Sequence, residues 1–361
     1  MNTERLFTIA RKITDDIEKN LVIDTLATLQ SALQTQISSP SASNLSQIEI
    51  SLETLQTLST SPDFHYPETW NQALEHIGAL SVKDASFAAQ TVAAVRGNSI
   101  TLESAVATVR RIHTNLVTVR TALASILEAF ENLGLESYDV EEGEAELSIL
   151  MPRPAFSNEL KAFAKDLTEI AKFLELSEEI ATGSRSSPKL EELSTTDPLI
   201  FAGLSIPACL LVIKITKDII ELITSTYNLR EARASALAAE ASLKALDALD
   251  ADIEAKIESG LKRIADGVIG PRAKGRMNEL RIELNNYLPQ IAARLDNGYK
   301  IEGNAGVTAE EQEDDDKKSA ASQINEISRE IRYSALPQAP VLRLTLTASI
   351  TDEEGPEGGA T

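Results

Sequence analysis

Large rings are scarce in this chain. Aromatic residues make up 4% of 361 positions, and Trp70 is the single tryptophan. A core without them has to be built from Leu, Ile, Val and Ala, which favours helix-on-helix packing over a large β-sandwich. There is one cysteine, Cys209, so an intramolecular disulfide is excluded. Inside an apolar run, a lone cysteine acts as a small hydrophobe, and it fits a reducing compartment. Histidine occurs only at His65, His76 and His113, and no H-E-x-x-H, C-x-x-C or G-x-S-x-G motif is present. The chain therefore lacks the familiar sequence patterns for zinc binding or a serine nucleophile. Cations are short as well: 34 Lys and Arg against 55 Asp and Glu leave a net charge of −21. Nucleic acid and anionic lipid are poor partners for such a surface, because phosphate neutralisation needs clustered cations. The first residues lack the apolar core of a secretory signal, and Glu4, Asp15, Asp16 and Glu18 oppose a transit peptide. A cytoplasmic location is the expectation.

What the chain has in quantity is aliphatic residues at helical spacing. Leu6, Ile9, Ile13, Ile17 and Leu21 recur every three or four residues, and Leu26, Leu29, Leu33 and Ile37 extend the stripe. Such a stripe marks one face of an amphipathic helix. The Ser- and Pro-rich residues 38–43 break it. Leu45, Ile48, Leu52, Leu55 and Leu58 follow, then a shorter piece with Trp70, Leu74 and Ile77. The cleanest pattern runs through Leu102, Val106, Val109, Leu116, Val119, Leu123, Ile126 and Phe130. Residues 1–136 thus read as an N-terminal helical bundle.

The composition then changes. Residues 144–151 place Leu147 and Ile149 in alternation before Pro152, which predicts a strand. Leu160, Phe163, Leu167, Ile170 and Leu174 predict a helix, and residues 189–195 a second strand. Residues 137–206 are accordingly assigned to a small β-α-β module whose strands need not be neighbours. From residue 207 to 268 no proline interrupts the helical pattern, so a continuous helix there would be about 90 Å long. Helices of that length need a partner helix. A return through Met277, Leu280, Leu284, Leu288 and Ile291, then Ile324, Ile327 and Ile331, completes a predicted hairpin over residues 207–336. Residues 303–308 read as a loop. Residues 337–361 are expected to supply a strand at 341–350 that joins the module, followed by a disordered acidic tail.

Residues 198–213 carry no charge, but they number only about sixteen and include Gly203 and Pro207. A membrane-spanning helix needs about twenty, and extension to residue 223 adds Lys214, Lys217, Asp218 and Glu221. A buried helix start set against the small sheet is the favoured reading. The rival is a membrane-insertion segment carrying Leu199, Phe201, Leu204, Leu210, Leu211 and Ile213. Gly270-Pro-Arg-Ala-Lys-Gly275 resembles a phosphate loop, yet Arg276 and Met277 replace the required Lys and Ser/Thr. The region gathers Lys262, Arg263, Arg272, Lys274, Arg276 and Arg281, a candidate patch for an acidic partner or anion. The acidic run 310–316 lacks the glycine turn of a Ca²⁺ loop and reads as a helix start. The Thr182-Gly183-Ser184 turn and the acid pairs Asp15-Asp16 and Glu141-Glu142 carry no further signature of chemistry.

The sequence therefore predicts a mainly α protein: an elongated helical bundle and antiparallel coiled-coil hairpin with a small α+β module of two or three strands. The expected function is non-enzymatic, with no catalytic residue, cofactor or metal. The hairpin would present a surface to a protein partner or to another copy of the chain, and nucleic acid is excluded. A membrane-perturbing toxin or defence effector that inserts residues 198–223 is the alternative.

Overall fold

The computed structural model describes residues 3–97, 102–135, 138, 140–156, 159–194, 198–239, 243–307, 319–334, 336–337, 339–342 and 344. The fold is mainly α with a small antiparallel sheet. Its strands are β1 (Ala145–Leu150), β2 (Lys189–Ser194), β3 (Leu199–Leu204) and β4 (Lys300–Ala305), in the order β2-β3-β1-β4. Contacts group the chain into two units. The first takes residues 1–150, 190–203 and 304–317, and the second takes 151–189, 204–303 and 318–361.

The helices of the first unit are α1 (Thr3–Lys19), α2 (Val22–Ser38), α3 (Ala42–Leu58), α4 (Asn71–His76), α5 (Ser86–Gly97) and α6 (Leu102–Asn132). Their aliphatic stripes form one core, in which Ile13, Leu26, Leu29, Leu33, Leu52, Leu55, Val109, Leu116 and Leu123 are buried. The first stripe does not belong to one helix. Leu21 takes a left-handed conformation with φ of 48° and is 61% exposed, so α1 ends and α2 starts in a new direction. That conformation costs a non-glycine residue about 1–2 kcal/mol, and burial of the two stripes against the same core offsets it.

A half-buried cation ties α1 to the sheet. The Arg5 guanidinium lies 3.9 Å from the Tyr138 ring centre and 3.5 Å from that of Phe201 on β3. It donates to Glu146 of β1 at 2.9 Å and pairs with Glu192 of β2 at 2.7 Å. Tyr138 donates its hydroxyl to the same Glu146 at 2.9 Å. Burial, reinforced by that carboxylate, pushes the Tyr138 phenol up to about 12. The planar guanidinium suits this site because it stacks on rings while its edge faces carboxylates.

The second unit contains α7 (Leu160–Thr182), α8 (Ile206–Ala238), α9 (Leu243–Ile269), α10 (Arg276–Asp296) and α11 (Ala320–Tyr333). The expected single helix over 207–268 is two helices, α8 and α9, packed on each other. Their register is antiparallel: Leu222 meets Gly260, Lys256 donates to the Ser225 carbonyl, and Arg233 pairs with Asp250. The physical reason is burial. One straight helix would leave Leu246, Ile253, Ile257, Leu261 and Ile264 without cover, whereas the fold-back buries all five. Gly260 permits the close approach, since a Cβ there would come within 2.6 Å of Leu222 Cδ1. The returning stripe at Leu280, Leu284, Leu288 and Ile291 is buried on α10.

Three further expectations are corrected. The apolar run 198–213 is not a helix start throughout: its first part is β3, and α8 begins only at Ile206. The switch is made at Ser205, whose Oγ caps the Ala208 N–H, while Glu178 accepts the Ser205 N–H at 2.7 Å and its hydroxyl at 2.8 Å. Residues 300–305, read partly as a loop, form β4. Gly303 permits it, because a Cβ there would lie 2.8 Å from both Ile213 and Ile324, and its N–H donates to Ser328. The strand expected at 341–350 is not formed at Val341, Leu342 or Leu344. Residues 343 and 345–350, the acidic run 310–316 and the tail 351–361 lie outside the described residues.

Arg5→Met should destabilise the chain by about 3–5 kcal/mol in urea unfolding, because the buried Glu146 and the half-buried Glu192 would be left without their cation. Arg5→Lys should recover only part of the loss. A second prediction concerns Asp63. Hydrogen bonds from Asn20 and Lys19 hold its carboxyl below its ordinary value of 3.8. A lowered folded pKa gives stability that is present above 3.8 and lost as pH falls through the folded value. The stability gap between the parent and Asp63→Asn should therefore be open at neutral pH and close in acid, as read by urea midpoints across pH.

Candidate functional site

The second unit contains an open groove of about 860 Å³. Its α8 wall is Arg230, Arg233, Ala234 and Leu237, and its α9 wall runs from Asp250 through Ile253 and Ile257 to Leu261. Pro289 of α10 and two residues from the C-terminal part of the chain, Leu342 and Leu344, complete it. The floor is aliphatic, which follows from the 3.6-residue spacing on two antiparallel helices. The rim is charged: Arg233 binds Asp250 at 2.6 Å, and Glu254 and Glu258 continue the acidic side.

The chain enters this groove through main-chain contacts. The buried Asp296 carboxylate accepts the N–H of Val341 with one oxygen and that of Leu342 with the other, both at 2.7 Å. Arg230 Nε donates to the Val341 carbonyl. Val341 and Leu342 are buried. A carboxylate that accepts two adjacent N–H groups recognises backbone rather than any particular side chain. Nearby, Asp166 accepts from Arg294 Nε at 2.9 Å and from the Tyr299 hydroxyl at 2.6 Å, which fixes α7, α10 and the start of β4. Burial, then the Asp166 hydrogen bond, raises the Tyr299 phenol far above its ordinary value.

The predicted cationic patch is only partly assembled. Arg276 is paired with Glu179 at 2.6 Å and Glu279 at 3.0 Å, and Arg281 with Asp266 at 3.2 Å. Arg263 is exposed and its charge acts on Asp218, whose carboxyl is raised by burial first and by Glu221 second. Lys262, Arg272 and Lys274 are exposed. The glycines of the phosphate-loop look-alike, Gly270 and Gly275, both have positive φ and make the turn between α9 and α10. Thr182 caps its own turn, accepting the Ser184 N–H at 3.2 Å.

Of the predicted insertion segment, Leu199, Phe201, Leu204 and Ile213 are buried, and Leu210 and Leu211 are half-buried. No described helix is long and apolar enough to cross a membrane. His65 contacts the Ser61 carbonyl at 2.9 Å, and His76 and His113 lie on α4 and α6. Among the described residues, no group of three or more His, Cys, Asp or Glu is placed to hold a metal ion. The groove and its Asp296–Arg230 clamp had no signature in the sequence: Asp296 sits at an Asn-Gly helix end and reads there only as part of a stop. Comparison with protein-family models, with curated proteins and with solved structures found no match.

Asp296→Ala removes the acceptor of two buried N–H groups, so it should cost about 2–5 kcal/mol. Hydrogen exchange at Val341 and Leu342 should accelerate while exchange in α2 and α6 stays slow. Unchanged protection at those two amides would contradict the clamp.

Proposed function

We propose that this chain is a non-enzymatic, cytoplasmic interaction protein that uses the α8–α9 pair to bind a protein partner or another copy of itself. One observation carries the reading. The last turns of α8 are rich in alanine, and Ala232, Ala238 and Ala239 are exposed there. Small side chains let a second helix approach closely, because interaxial distance is set by the residues at the contact. Tyr227, 41% exposed, adds apolar area on the same helix. The acidic charge of the whole chain steers it away from nucleic acid and toward partners with basic or apolar surfaces.

Ala232 and Ala236 lie one turn apart on α8, away from the groove-lining positions Arg230, Arg233, Ala234 and Leu237. The double variant Ala232→Glu and Ala236→Glu keeps good helix formers at both sites but places two charges on the contact face. Light scattering during size-exclusion chromatography is expected to show a concentration-dependent assembly for the parent and a monomer for the variant. A parent that stays monomeric at every concentration, and that retains no partner when immobilised, would overturn the reading.

A further inference from the structure

The cage around Arg5 is built mainly by the sheet, and α1 supplies what fills it. Glu192 on β2, Phe201 on β3 and Glu146 on β1 come from three strands that are neighbours in the order β2-β3-β1. Tyr138 adds a second ring within 3.9 Å of the guanidinium. Glu146 takes both terminal nitrogens, one of them at 2.9 Å, and Glu192 takes Nε at 2.7 Å. All three nitrogens of the guanidinium are therefore met by carboxylate, and its plane is met by rings. An ammonium group has neither the plane nor the fork that such a site rewards. The Tyr138 hydroxyl, which donates to Glu146 at 2.9 Å, holds that carboxylate in place.

Arg5 is carried by the least anchored part of α1. In the first turn Thr3 is exposed, and Glu4, Arg5 and Leu6 are half-buried; the buried face of the helix begins at Phe7. Helix ends open at low cost, and a cation in a first turn opposes the helix dipole. Tyr138 does not depend on that turn. Thr8, one residue beyond Phe7, donates to the Tyr138 carbonyl at 2.9 Å, whereas the bond from the Tyr138 N–H to the Glu4 carbonyl is long, at 3.5 Å.

We propose that this cage is a docking site for an arginine side chain of a partner protein, held shut by Arg5 of the same chain. Carboxylates stripped of their cation are costly, so the first turn opens in exchange for an incoming guanidinium rather than by itself. The net charge of −21 draws basic segments toward the chain. Arg5 competes from an effective concentration of about millimolar order, so a lone arginine enters weakly and a partner needs further contacts beside it. The proposal goes beyond the α8–α9 reading and does not rest on it, since every residue of the cage lies in the first unit.

The test is an NMR titration of the full chain with the peptide acetyl-Ala-Arg-Ala-amide, with the corresponding lysine and citrulline peptides as controls. The parent, Arg5→Lys and Arg5→Ala are compared. Affinity for the arginine peptide should rise in that order, by about tenfold or more from parent to Arg5→Ala, because it scales with the fraction of chains whose cage is open. Amide shifts should fall on β1, β2 and β3. The lysine peptide should bind several-fold more weakly, and the citrulline peptide, which keeps the shape without the charge, should not bind. Should Arg5→Ala fail to fold, Arg5→Lys against the parent decides. Equal affinity in parent and variants would overturn the proposal, as would equal binding of the arginine and lysine peptides, shifts confined to other elements, or no binding to the variants. The Ala232→Glu and Ala236→Glu double variant should bind the peptide as the parent does, which keeps failure here separate from failure of the α8–α9 reading.

Discussion

An aromatic-poor chain has to bury Leu and Ile stripes against one another, and most of this architecture follows from that constraint. Each buried Leu or Ile removes enough apolar surface to contribute about 1.5–3 kcal/mol, so a stripe left uncovered is costly over several turns. In the first unit, α2 packs on α3 and α6, and α1 on α6. In the second, α8 is covered by α7, α9 and α11. The same constraint explains why the chain does not extend from 207 to 268 as one helix. Ile253, Ile257 and Leu261 are covered once α9 turns back, and Gly260 removes the steric obstacle to that turn-back.

Aliphatic packing alone distinguishes poorly between neighbouring registers, because Leu and Ile are close in volume. Buried charge supplies the distinction. Arg5 meets Glu146 and Glu192 across more than 140 residues of sequence, Asp166 meets Arg294, and Asp296 meets the backbone at 341 and 342. Taking any of these groups out of water is expensive unless its partner is in place. A slipped register keeps much of the apolar burial but strands a charge, and the penalty for the stranded charge exceeds what the extra apolar contact returns. These ties therefore act chiefly against alternatives to the observed packing.

The parts of the fold that were legible in the sequence are those encoded by local periodicity. The stripes of α6 and α10 read correctly because each is uniform over several turns, and β1 reads correctly because Leu147 and Ile149 alternate before a proline. The parts that were not legible depend on distant partners. β3 lies in a run without charge, where strand and buried helix share one pattern, and only the Glu178 grip on Ser205 places the boundary. β4 contains a glycine that weakens any strand signal, and its reason is the pressure of Ile213 and Ile324 from helices far away in sequence. The groove was hidden for the same reason, since its walls come from α8, α9, α10 and the C-terminal residues. The cationic cluster shows the converse failure. Proximity in sequence brought Arg276 and Arg281 to attention, but Glu179 and Asp266 take up their charge in space.

The fate of Val341 and Leu342 shows how one side chain can redirect a segment with strong strand character. The alternating leucines at 342, 344 and 346 satisfy every local criterion for pairing at a sheet edge, where each residue would gain backbone hydrogen bonds to a neutral partner. Asp296 offers a competing acceptor. It is buried at the end of α10, and its two oxygens match two successive N–H groups. Hydrogen bonds to a charged group contribute about 1.5–3 kcal/mol each, against about 1 for a neutral pair. The same contacts relieve Asp296 of the cost of being buried with unfilled acceptors. Both effects act together, so the carboxylate draws the main chain to α10, and Leu342 and Leu344 line the groove between α8 and α9 instead.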